Sequence, residues 1–193
     1  MKPTIPRTTF PHLSFPILLL LLLAAFPAAV RSGDLIEEVC KKTPFYGLCA
    51  ATLHSNSSSS AAADVKSLAS SVTSFVLTNA TDTLSFIQAQ LRKEKDPKAE
   101  KALANCAELY IPVVKYNLPQ AIEAFFRGYY GFTRYALSDA AKQAGACEDK
   151  LSGSGADGGE LSARNKVVGD LCGVGAAIVG LLMKVGGRRG LNV

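Results

Sequence analysis

Residues 61–93 read AAADVKSLASSVTSFVLTNATDTLSFIQAQLRK. Val65, Leu68, Ala69, Val72, Phe75 and Val76 recur at i, i+3, i+4 and i+7, and Leu84, Ile87 and Leu91 continue the stripe. That spacing puts the apolar side chains on one face of a long helix, whereas a half-buried strand would alternate with period two. A helix this long with one apolar face is stable only against other helices or a sheet. The rest of the chain decides which.

Downstream, Asp96-Pro97 reads as an N-cap followed by a first-turn proline. The next helix carries Leu103, Cys106, Ala107, Tyr110, Val113 and Val114 on one face. Pro112 should kink it, and Pro119 should kink it again or begin a new helix, with Leu118, Ile122, Phe125 and Phe126 extending the apolar side to Gly128. A third long segment runs from Tyr130 to Leu151, with Tyr135, Ala136, Ala140, Ala144, Cys147 and Leu151 read as inward. The Gly/Ser stretch 152–159 precedes a fourth helix, Leu161 to Val185. Upstream, Asp34 caps a short helix that ends at Thr43-Pro44, a second runs from Phe45 to Leu53, and a serine-rich loop follows. No strand alternation competes. The expected fold is all-α, an up-and-down four-helix bundle (61–185) preceded by a helical hairpin and Ser-rich loop (33–60) and followed by a flexible tail (186–193).

The 193 residues are 48% hydrophobic and 19% charged, which excludes a disordered chain. Residues 1–32 have Lys2 and Arg7 ahead of the 12-residue apolar run FPILLLLLLAAF and small residues beyond it. This is the pattern of a secretory signal peptide, and the run is short for a membrane span. Without Lys2, Arg7 and Arg31 the net charge falls from +5 to +2, which argues against nucleic acid or a membrane surface as partner. In the last helix the apolar run from Leu171 to Met183 is bounded by Asp170 and reads as core.

Five cysteines in a secreted chain favour disulfides. Cys40 and Cys49 flank a tight helix–turn–helix, and Cys106 and Cys147 lie on consecutive antiparallel helices, so these pairs can reach bonding distance. Cys172 is left as a buried small hydrophobe. Asn56-Ser57-Ser58 and Asn79-Ala80-Thr81 are glycosylation sequons.

Catalytic chemistry is scarce. A nucleophile–base arrangement needs histidine, and only His54 remains once His12 departs with the leader. The carboxylate pairs Glu37/Glu38, Glu148/Asp149 and Asp157/Glu160 fall on solvated faces or in a loop. Gly173-Val174-Gly175-Ala176 begins like a dinucleotide fingerprint but lacks the third glycine and the preceding strand, so close helix packing explains it better. No metal, cofactor or enzymatic activity is expected. A stapled helical bundle suits binding.

Val39 to Cys49, VCKKTPFYGLC, resembles the opening of the plant invertase and pectin methylesterase inhibitor family. Asn105-Cys106 with Tyr110, Leu118-Pro119 to Ala124, Ser138 to Asp149, and Asn165 through Leu171-Cys172 to Leu182 are similar to further family segments, in order. The resemblance implies a hairpin plus four-helix bundle, first-to-second and third-to-fourth disulfides, and a non-catalytic secreted protein of the cell wall. Such a protein occupies the active-site cleft of its target enzyme in a stoichiometric complex.

The resemblance also bears on the target. Invertase inhibitors carry Pro-Lys-Phe after the second bundle helix; here the stretch reads Tyr130-Gly131-Phe132 and matches only at Phe132. Leu171-Cys172 resembles the pectin methylesterase inhibitors, and Leu118 to Ala124 the invertase inhibitors. Pectin methylesterase is the favoured partner on this reading, with acid invertase the alternative. Tyr129, Tyr130, Phe132, Arg134 and Tyr135 are the candidate partner-binding residues, since Tyr and Arg combine contact area with polar handles. Tyr130 and Arg134 are read as removable without unfolding the bundle. Whether the hairpin swaps between chains to form a dimer is left open by the sequence.

Overall fold

The computed structural model describes residues 32–55, 64–156 and 158–189. Residues 1–31 of the expected signal peptide and the Asn56 sequon lie outside them. Seven α-helices are present among these residues: α1 Ser32–Cys40, α2 Tyr46–Ser55, α3 Val65–Leu91, α4 Pro97–Pro112, α5 Leu118–Phe126, α6 Tyr130–Leu151 and α7 Gly158–Arg189, and no strand. α7 extends past the expected end at 185, and α1 begins two residues ahead of Asp34.

Two helix starts are set by aspartates. The Asp64 carboxylate accepts from the Ser67 N–H and hydroxyl, both at 2.7 Å, which holds its pKa below the ordinary value. Asp96 accepts from the N–H groups of Lys98 and Ala99, and Pro97 occupies the first turn, where no backbone donor is needed. Between Pro112 and Pro119 the chain forms a π-helical segment, Val113–Asn117, closed by Leu118 N–H to the Val113 carbonyl. The wider turn re-registers the backbone ladder between two residues that cannot donate to it. The anticipated kinks are thus absorbed in one segment, and α4 and α5 together make the second arm of the bundle.

α3 packs on α4 and α7, α4 on α6, and α6 on α7, which closes the ring of a four-helix bundle. The hairpin α1–α2 lies against α3 and α7 of its own chain. The core holds Leu68, Val72, Val76, Ile87, Leu103, Tyr110, Phe125, Leu137, Leu161, Val168, Leu171 and Ile178. Two side chains assigned inward by spacing are instead on the surface: Tyr135 is 69% exposed and Phe126 is 63% exposed. α6 buries the arc through Ala136, Leu137, Ala140 and Ala144, and Tyr135 falls one residue, about 100° of helix, outside it.

Both disulfides form as expected, Cys40–Cys49 and Cys106–Cys147, with Cα separations of 5.5 and 4.7 Å. Cys172 is free and buried, and burial pushes its thiol up to about 12. A β-carbon at Gly175 would stand 3.2 Å from Leu137 Cδ1 and 3.5 Å from Val72 Cγ1, so that glycine serves helix packing. Gly159–Lys184 of α7 is long and apolar enough to span a bilayer by length and composition. A core helix passes the same test, and Leu161, Val168, Leu171, Val174, Ile178 and Val179 are all buried here.

One polar network, buried at Tyr110 and Asn165 and open to solvent at Glu148, crosses three helices. The Tyr110 hydroxyl (α4) donates to Asn165 Oδ1 (α7) at 2.8 Å, and Asn165 Nδ2 donates to Glu148 Oε2 (α6) at 3.2 Å. Ser162 donates to the other Glu148 oxygen at 2.6 Å. Burial raises the Tyr110 pKa well above its ordinary value, so the phenol stays a donor.

Candidate functional site

The turn between α5 and α6 is built by a helix C-cap. Gly128 adopts φ 83°, a left-handed conformation that glycine takes without a Cβ clash. Its N–H donates to Phe125 O at 3.0 Å, and Tyr129 N–H donates back to Ala124 O at 2.8 Å, the paired bonds of a Schellman motif. Thr133, fully buried, then donates its hydroxyl to the Ala121 carbonyl on α5 at 3.0 Å. These bonds fix the first turn of α6 through the backbone and one short side chain, leaving the larger side chains outside.

Tyr129, Phe132 and Tyr135, spaced three apart, are 64%, 47% and 69% exposed, and Phe126 at the end of α5 is also exposed. Three-residue spacing sweeps them along one side of the helix start. Exposed aromatic side chains concentrated at one corner are unusual for a surface and typical of a binding face.

The other two predicted residues sit apart from that side. Tyr130 is half-buried, its ring centroid 5.4 Å from that of Phe125, and it packs on the core. Its removal would disturb the base of the corner, so it is not the freely removable contact that the sequence suggests. Arg134 is exposed and lines a groove of about 400 Å³ between α6, α7 and the hairpin turn. The five candidates therefore divide into an aromatic side, a packing residue and a groove-wall cation. Phe126 joins the exposed aromatics although the sequence hides it in an apolar run.

The remaining candidates lie away from the corner. At the second sequon, Asn79 is half-buried and its amide donates to Phe75 O at 2.9 Å, while Thr81 donates to Leu77 O at 2.8 Å. His54 is exposed, with Nε2 3.3 Å from a Glu37 oxygen whose partner oxygen accepts from the Tyr46 hydroxyl. This clasp joins α1 to α2; hydrogen bonds from Tyr46 and then His54 lower the Glu37 pKa, and the Tyr46 pKa rises in response. Among the described residues no group of three or more His, Cys, Asp or Glu could hold a metal ion.

The described residues thus form a disulfide-braced helical bundle with an exposed aromatic corner on the α5–α6 turn. Residues 34–178 match the model of the plant invertase/pectin methylesterase inhibitor family, and the chain belongs to that family of inhibitors; it is not an enzyme. It is 33% identical over 125 residues to cell wall / vacuolar inhibitor of fructosidase 1 of Arabidopsis thaliana, covering 65% of this chain and 60% of that protein. It is 36% identical over 101 residues to cell wall / vacuolar inhibitor of fructosidase 2 of the same plant, covering 49% and 56%. The match thus spans about three-fifths of those relatives. The fold is similar to crystal structures of a pectin methylesterase inhibitor from Arabidopsis. The mutant form A has TM-score 0.67 and 23% identity, covering 75% of this chain and 95% of that one. A second structure has TM-score 0.60 and 23% identity, covering 77% and 96%.

Proposed function

We propose that the chain inhibits an acid invertase, a fructosidase, by seating its aromatic corner in the enzyme's active-site cleft as a stoichiometric, non-covalent complex in the cell wall or vacuole. The observation that carries this reading is the identity of 33% and 36% to two proteins named as fructosidase inhibitors, against 23% to pectin methylesterase inhibitors, a level that speaks for fold alone.

The burial pattern supports the same choice over the pectin methylesterase target favoured from sequence. Leu171 and Cys172, which resemble the pectin methylesterase inhibitors, are 2% and 1% exposed and lie beyond any partner's reach. The segment from Leu118 to Ala124, which resembles the invertase inhibitors, offers Pro119, Gln120 and Glu123 on the exposed side of α5, leading into the corner. Target choice must be made by residues that a target can touch. The missing Pro-Lys leaves Phe132 as the shared element, now flanked by Tyr129 and Tyr135 as additional aromatic anchors.

The test is a parallel titration of an acid invertase and a pectin methylesterase with the purified chain. Invertase activity should fall while pectin methylesterase activity holds. The reverse outcome would reassign the target to pectin methylesterase.

A further inference from the structure

The solvent side of α3 is built without charge. From Ser67 to Thr81 the helix carries no Asp, Glu, Lys or Arg, and the exposed positions are Ser74, Thr78 and Thr81. A surface helix ordinarily turns charged and polar residues to water. The Thr78 and Thr81 hydroxyls donate to the Ser74 and Leu77 carbonyls at 3.2 and 2.8 Å, so their protons are spent within the helix and only their acceptor lone pairs remain. Such a face suits a neutral, hydroxyl-rich cover.

Asn79 stands at its edge, where α3 meets α7, in the Asn79-Ala80-Thr81 sequon. It lines a groove of about 260 Å³ together with Asp82, Glu160, Arg164 and Val167. Arg164 is paired with Glu160 and covers the Phe86 ring, so neither charge is free. The Asp82 carboxylate has no bond among the described residues, and Val167 is 38% exposed. The Asn79 amide nitrogen carries two hydrogens. One donates to Phe75 O at 2.9 Å, and the other has no acceptor among the described residues. A substituent can replace that second hydrogen and leave the Phe75 bond in place.

We propose that Asn79 bears an N-linked oligosaccharide whose first N-acetylglucosamine lies in the α3–α7 groove, its acetyl methyl against Val167 and a hydroxyl on Asp82. The Asn79 Nδ2 atom attacks the anomeric carbon of a lipid-diphosphate-linked oligosaccharide. The nitrogen–carbon bond forms as the carbon–oxygen bond to the diphosphate breaks. The lipid diphosphate leaves with that electron pair, and the amide proton passes to water. This donor belongs to the secretory pathway, the destination of the leader expected at residues 1–32. In a formed helix Asn79 and Thr81 point about 200° apart, so one transferase pocket takes both only before α3 folds. The site is on α3 and α7, apart from the α5–α6 corner, and is independent of the target enzyme.

The test is to secrete the full chain from plant cells and release its glycans with peptide N-glycosidase in heavy-oxygen water. Trypsin then separates Ser67–Arg92 from the peptide that holds Asn56. Position 79 should read as labelled aspartate in wild type and in Thr81→Ser, and as unlabelled asparagine in Thr81→Ala. An unlabelled Asn79 in wild type would overturn the proposal, whether or not Asn56 is labelled. On the intact glycoprotein, nuclear Overhauser contacts should join the acetyl methyl of the first sugar to the Val167 methyls. A glycan at Asn79 without contacts to the groove would overturn its seat there.

Discussion

The two halves of α6 are built from the same helix and spend their side chains in opposite ways. In the C-terminal half, Ala140, Ala144, Cys147 and Leu151 are all at most 5% exposed. Cys147 is bonded to α4, and Glu148 accepts hydrogen bonds from α7. In the N-terminal half, Phe132 and Tyr135 are 47% and 69% exposed. That half is held by the Gly128 cap and the Thr133 hydroxyl. Where side chains fix the helix they are unavailable to a partner; where backbone and one threonine fix it, the large side chains are released. Holding those aromatics on a rigid helix end lowers the ordering cost of binding. Substitutions in the two halves should therefore separate stability from inhibition.

The largest effect belongs to the locked half. Replacing Cys106 and Cys147 with Ser opens a cross-link between residues 41 apart, and the chain-entropy relation puts the loss at about 4 kcal/mol of stability. Urea unfolding would read it as a lower midpoint. In the open half, Tyr129→Ala/Phe132→Ala/Tyr135→Ala should weaken inhibition by about 100-fold, a loss typical of removing an interface's aromatic anchors. Its unfolding midpoint should stay close to wild type, because these side chains are exposed. A large loss of stability with inhibition intact would invert the comparison.

Asn165→Ala lies next in size. It strips the Tyr110 hydroxyl of its acceptor and Glu148 of a donor, and should cost about 2 kcal/mol, read by urea unfolding, with inhibition per folded molecule unchanged. The smallest effect is expected at the hairpin clasp. Because Tyr46 and His54 lower the native pKa of Glu37, the clasp contributes in full above the unfolded value of 4.5 and is lost as pH falls through the lowered native value. Glu37→Gln should flatten the pH dependence of unfolding in that acidic range and leave it unchanged near neutrality.

The sequence exposes what depends on local spacing. Asp96-Pro97, the two cysteine pairs and the stripe from Leu68 to Ile87 each carry their structural role within a few residues or a simple antiparallel arrangement. Tyr135 reads as core beside Ala136, because apolar character alone does not resolve a step of one residue around a helix. The network of Tyr110, Asn165 and Glu148 was illegible because its members lie on three helices. The candidate binding side is legible as a cluster of types, but its division among exposed aromatics, the packed Tyr130 and the groove-facing Arg134 depends on how α6 is rotated against α5 and α7. Leu171 and Cys172 make a poor guide to the target for a reason the sequence itself carries, since both sit in the apolar run of the last helix that reads as core.

The most direct measurement is the loss of acid invertase activity against molar ratio at enzyme concentrations well above the dissociation constant. A plug that acts by occupancy gives a linear decline ending at one inhibitor per active site, with full activity regained when the complex is dissociated. Activity that survives a large molar excess, or that continues to fall with time at a small fraction of an equivalent, would contradict inhibition by occupancy.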